Sequence, residues 1–140
     1  MHGGDINAAR TLPIDAPLIG DVLRRLRRDT RGATARWMLG AHGSAEIDID
    51  FFPVVTPGDA PAWTTMARLW DPDAVAMVRV TIELTAASAD TCTLTARPDL
   101  PLAPWWSART PALLGLALAA LDELAEELLW HATRDNASAP

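Results

Sequence analysis

The chain has 140 residues, 49% of them apolar and 21% charged, with a formal net charge of −6. Those figures fit one soluble globular domain and exclude a disordered chain. The acidic balance argues against a non-specific nucleic-acid binder, which needs a basic face, and against docking on anionic lipid.

Residues 1–7 read as a loose tail, and Ala8 to Ile14 as a short first strand. Asp15 is a candidate N-cap with Pro17 in the first helical turn. Leu18, Ile19, Val22, Leu23 and Leu26 then repeat at helical spacing. Arg24, Arg25, Arg27 and Arg28 crowd the end of that helix, where cations complement its dipole. Ala33 to Leu39 is a weak strand candidate, followed by a turn over 40–43. Glu46 to Phe52 alternates, with Ile47, Ile49 and Phe51 on one face and Glu46, Asp48 and Asp50 on the other. The acidic face reads as a solvated strand face served by Arg24 to Arg31.

Pro53 to Pro61 reads as a loop, Ala62 to Trp70 as a strand and Asp71-Pro72-Asp73 as a turn. Val75 to Thr85 is the best strand, with Ala76, Val78, Val80, Ile82 and Leu84 on one face. Ser88 to Asp90 turns it into Thr91 to Arg97, a predicted β-hairpin. Prolines at 98, 101, 104 and 111 exclude a central strand or a helix between Arg97 and Pro111. Thr110 to Arg134 is then one long helix with Thr110 as N-cap and Pro111 at its first position. About 22 residues at ~1.5 Å each span ~33 Å, enough to cross a whole sheet. Leu114, Leu118, Leu121, Leu124, Ala125, Leu128 and Ala132 form its predicted buried stripe. The half before Asp122 is apolar nearly all round and is expected to be the more deeply covered. Gly115, Ala117, Ala119 and Ala120 suit close packing better than ligand room.

Catalytic signatures are absent. All 12 basic residues are arginine, so no side-chain amine can form a Schiff base. Tyrosine is missing too, which removes the phenol as acid or oxyanion donor. Cys92 is the only cysteine and reads as a small buried hydrophobe in an alternating strand. No serine stands in a nucleophile elbow, no glycine-rich loop fits phosphate, and no His/Asp/Glu spacing suggests a metal. No cofactor is expected. His131, four residues after Glu127, reads as a surface ion pair near a helix end. The first residues lack the apolar core of a signal peptide, and the longest apolar run, Pro111 to Leu121, is too short to span a bilayer. A cytoplasmic protein without membrane insertion is the expectation.

The opening RTLPIDAPLIGDVLRRLRRD resembles the start of the START-like (SRPBCC) superfamily, which includes polyketide cyclase/dehydrase-type and Bet v 1-like proteins. Ile14, Asp15, Ala16 and Pro17 match its I-x-A-P turn, and Val22 and Leu23 fall in the following helix. The usual helix aromatic is replaced by Gly20-Asp21-Val22. By layout the resemblance covers residues 8–134, taken as one domain, with 135–140 as a tail. It implies an α+β helix-grip fold: a curved antiparallel sheet of five to six or more strands around the long C-terminal helix, with an apolar cavity between them.

The predicted function is binding of a hydrophobic or amphipathic small molecule in that cavity. Its expected lining comprises Trp37, Phe51, Trp63, Val80, Ile82 and Leu94 from the sheet side. Leu114, Leu118 and Leu121 come from the helix. Trp105 and Trp106, in the proline-rich connection, are expected at the rim against ligand or a partner subunit, so a homodimer is a candidate assembly. Arg68 and Arg79 are candidates to hold a ligand carboxylate; cross-strand pairing with Asp48 or Glu83, or solvent exposure, is the plainer reading of both. Two other functions stay open: a cyclase/aromatase-type enzyme, and a protein-interaction domain whose cavity has collapsed.

Overall fold

The computed structural model describes residues 7–55, 58, 60–72, 76–99 and 109–138. Alternating sequence becomes seven antiparallel strands: β1 (Ala8–Leu12), β2 (Thr34–Met38), β3 (Ser44–Asp48), β4 (Phe52–Val55), β5 (Pro61–Asp71), β6 (Ala76–Ala86) and β7 (Cys92–Pro98). They form one curved sheet in the order β1-β7-β6-β5-β3-β2, with β4 also on β5. Helix α1 (Ile19–Asp29) and the C-terminal helix α2 (Thr110–Ser138) complete the α+β helix-grip layout. No described helix is long and apolar enough to cross a membrane.

The seven strands among the described residues fit the expected five to six or more. Pro53-Val54-Val55, read as the start of a loop, join Phe52, read as the end of the preceding strand, in β4. It pairs with the first half of β5, Phe52 opposite Thr64 and Val55 opposite Pro61. A proline is tolerated there because β4 is an edge strand. β3 occupies the second half of the same side of β5, Ile47 opposite Ala67. The alternating run from Glu46 to Phe52 is therefore one strand broken at residues 49–51. The buried Thr65 stands opposite the break and donates its hydroxyl to the Asp48 carbonyl at 2.8 Å.

The period of two sorts the faces. Thr65, Ala67 and Leu69 of β5 lie in register with Ile82, Val80 and Val78 of β6, all buried on the concave side. Cys92, Leu94 and Ala96 of β7 continue that side. Burial pushes the Cys92 thiol up to about 11. A thiol reagent at pH 8 is expected to leave the native protein unlabelled and to label it fully in urea. The folded state retains a proton that the unfolded chain releases near 9.0. Stability from this site is complete below that value and is lost as pH rises towards about 11. Urea melts at pH 8 and pH 10.5 check the slope, which Cys92→Ala should reduce.

α1 does not start at Asp15. Residues Ala16–Leu18 wind first as a tighter turn, closed by Leu18 N–H on the Asp15 carbonyl at 2.9 Å, and the Asp15 side chain makes no capping bond. Its apolar stripe Ile19, Val22, Leu23 and Leu26 is buried as expected.

α2 packs on β1, β3, β5, β7 and α1. Its buried face is Leu113, Leu116, Ala117, Ala120, Leu121, Leu124 and Leu128, while Leu114 and Leu118 lie on the half-buried flank. The face is rotated from the expected one because the first half is apolar all round, so periodicity there defines no side. Gly115 is where His42 rests: a Cβ at this position would meet the imidazole at 3.3 Å. Close approach, not ligand room, explains that glycine. Arg10 of β1 donates to Asp122 at 2.7 Å and ties the sheet edge to the helix.

His131 corrects the expectation of a surface pair. It is 2% exposed, on the stripe continuing from Leu124 and Leu128, with Nδ1 3.6 Å from Asp29 of α1. Arg25 of α1 reaches its carbonyl at 3.4 Å.

Candidate ligand-binding site

The expected lining residues do not form one cluster. Val80, Ile82, Leu94 and Leu121 do converge between sheet and helix, but they are at most 1% exposed. A side chain without accessible surface borders no space that would admit a water, so the interior is packed solid at these positions. Leu114, Leu118 and Trp37 pack against the edge of the same core. Trp105 and Trp106 lie outside the described residues.

Arg68 and Arg79 do not point into the interior. Both lie on the convex face, directly opposite one another in the β5–β6 register. Arg68 bridges Glu46 at 2.8 Å and Asp48 at 3.0 Å. Arg36 reaches Glu46 at 3.0 Å and stands over the Trp70 ring at 5.7 Å. The Arg68 guanidinium beside Glu46 holds that carboxyl below the usual carboxylate range. Arg79 lies beside the Met66 sulfur and Asp99. Alternation alone left this open, because Trp63 and Leu69 on one face of β5 balance Met66 and Trp70 on the other.

The break between β3 and β4 creates an open feature on the concave side of the described residues. Residues 49–51 leave the strand, and α1 crosses in front of them. Between them is a recess of about 290 Å³, lined by Gly20, Leu23, Arg24 and Arg27 of α1, by Ile49, Asp50 and Phe51 of the break, and by Trp63 of β5. Phe51 and Trp63 were expected to face a ligand. The α1 residues were not, because their i, i+3, i+4, i+7 spacing read as core plus solvated arginine. Ile49 and Leu23 form a buried floor, and the two aromatics are half-buried walls. Arg27 donates to Asp50 at 2.6 Å and to the Gly32 carbonyl at 3.4 Å. Arg24 pairs with Asp21. The recess can seat an apolar body against aromatic walls and present guanidinium donors at its mouth.

A second depression of about 430 Å³ lies on the outside of α2 beside Glu126, Glu127 and the half-exposed Trp130. Among the described residues no group of three or more His, Cys, Asp or Glu side chains is arranged to hold a metal ion.

No protein-family model and no curated protein matches the chain. One solved structure that it resembles is DynU16, a protein of the dynemicin biosynthetic locus, at 18% identity and a TM-score of 0.44. The match covers 89% of this chain and 47% of that one, so the chain spans about half of that protein's length.

Proposed function

We infer that this chain is a START-like, non-enzymatic module that binds a small hydrophobic or amphipathic molecule on the concave side of its sheet. One observation carries the reading: a recess open to solvent, walled by Trp63 and Phe51, beside a core that is otherwise closed at the described residues. Burial of apolar ligand surface drives affinity at about 25 cal/mol per Å² before ordering costs. Catalysis is less well supported. Among the described residues the only carboxylate lining the recess is Asp50, already bonded to Arg27, and no histidine lines it. This reading puts the ligand at α1 and the strand break rather than under α2.

Native mass spectrometry for a co-purified molecule, followed by a fragment screen by NMR, tests the reading. Fragments are expected to shift the Trp63 indole signal. Trp63→Leu should weaken them about tenfold or more, whereas Arg68→Met on the convex face leaves affinity unchanged. Fragments that bind Trp63→Leu as tightly as the natural chain would overturn this site.

The closed core also favours a second reading, a protein-interaction domain. Met38 is 79% exposed and Phe52 64% exposed, both large apolar groups. A concentration-dependent mass in light scattering, abolished by Phe52→Ser, together with an empty fragment screen, would select it.

A further inference from the structure

Thr65, Asp71 and His131 are the buried polar or charged residues among those described. Thr65 donates to the Asp48 carbonyl, and Asp71 is bound by Arg109. His131 lies instead at the joint of the two helices. Its side chain is 3% exposed, and its Nδ1 is 3.6 Å from Asp29 Oδ2. Asp29 stands against its own helix: it is the last residue of α1, where the dipole disfavours an anion and where Arg27 and Arg28 supply the favoured cations. Arg28 reaches it at 3.5 Å, but from a guanidinium largely in water, a geometry worth little. A carboxylate at that position is accounted for by a cation on the facing helix.

We propose that His131 and Asp29 form a proton-operated clamp between α1 and α2, closed when the imidazole takes up a proton below neutral pH. Histidine is the side chain whose charge ordinarily changes between about pH 5 and 8. The imidazolium meets the Asp29 carboxylate and stands at the C-terminal end of α1, where positive charge is favoured. Burial opposes the charged ring, and the carboxylate at ion-pair distance offsets that cost. Arg25 of α1 engages the His131 carbonyl at 3.4 Å, so the backbone of α2 is already held at this joint. The Trp130 ring stands edge-on to the imidazole at 4.8 Å between centroids. On α2 itself Glu127, one turn earlier, is exposed.

The charged and titratable groups of the other elements on α2 are engaged elsewhere. Arg10 of β1 is held at Asp122, about 13 Å along the helix from His131. Glu46 and Asp48 of β3 meet Arg68 on the convex face. Asp71 of β5 is bound at the opposite end of α2 by Arg109. Arg97 of β7 is on the convex face opposite Thr81, and the Cys92 thiol is pushed up to about 11. His42 rests against Gly115 in the first half of α2. Asp29 is therefore the carboxylate that answers the His131 ring. Since α1 also carries Leu23, Arg24 and Arg27 of the recess, the same joint holds one wall of the candidate site.

The experiment follows the histidine rings of the whole chain by NMR from pH 8 to pH 5, with His131→Gln to assign the signal, and repeats the series in Asp29→Asn. His131 is expected to take up a proton within that range, and Asp29→Asn should move the uptake to lower pH. The folded state then holds a proton that the unfolded chain releases near ~6.5. The stabilisation from the clamp is accordingly complete below that value and is lost as pH rises. Thermal melts read the same sign. The margin in melting temperature of the natural chain over Asp29→Asn should be about 3 °C larger at pH 5.5 than at pH 8. Asp29→Asn keeps the size of the side chain, so it reads the charge even if His131→Gln unfolds. A His131 ring that stays neutral down to pH 5, an uptake that Asp29→Asn leaves unmoved, or a margin larger at pH 8 than at pH 5.5 overturns the proposal. None of these outcomes bears on the fragment screen, which tests the ligand reading separately.

Discussion

Leu121→Ala is expected to lower the unfolding free energy by about 3–5 kcal/mol, a large share of the ~5–15 kcal/mol typical of a domain. Leu121 has no exposed surface and faces the sheet from the middle of α2. Truncation removes the transfer energy of the lost methyl groups and leaves a void that a packed core closes only in part. Leu118→Ala, on the half-buried flank, should cost clearly less. Urea denaturation with an unchanged slope measures both. The truncation should also open a dry apolar cavity, so benzene should stabilise the variant more than it stabilises the natural chain. A cost below about 1 kcal/mol would mean that space already exists at Leu121, and the ligand would then belong under α2 after all.

Arg109→Met is expected to be comparably severe, at about 3–5 kcal/mol. Arg109 donates from Nε at 3.0 Å and from Nη2 at 2.7 Å to one oxygen of Asp71. The Asp71 side chain is only 5% exposed and that of Arg109 is 33% exposed. Removing the arginine takes two charge-assisted bonds from a carboxylate that water barely reaches. Asp71→Leu should cost less, because the guanidinium can turn to solvent. That ordering, read from paired urea melts, tests which partner is truly buried; equal losses would place both charges at the same depth. The pair also has a local role. The Arg109 carbonyl accepts the Leu113 N–H at 2.9 Å, so the residue that opens α2, one position ahead of the expected cap, is also the one that anchors α2 to the end of β5.

Much of the frame was legible because its physics is local. The alternation of Val78, Val80, Ile82 and Leu84 announced β6, and all four are buried as that period requires. The apolar run after Pro111 announced a long helix, and the alternating and helical patterns along the chain announced the element order. Residues whose role depends on a distant partner were not legible. Asp71 looked like a turn former, yet it is buried against Arg109. His131 looked like a surface residue, although its spacing from Leu124 and Leu128 was a signal that it lies on the buried stripe. The arginines of β5 and β6 could be given a face by period two, but not the side on which the helix lies.

The sequence by itself determined the α+β class, the antiparallel pairing of β6 with β7 and the closing helix. Tertiary structure alone decided which face of β5 is concave, how α2 is rotated upon it, and that the strand from Glu46 onward breaks to open a recess beside Gly20. The physical reason is one of range. Period and capping act over a few residues, whereas burial depends on which surface arrives opposite. For an all-round apolar helix and a sheet with large apolar groups on both faces, only the assembled packing selects among alternatives that the local pattern leaves nearly equal.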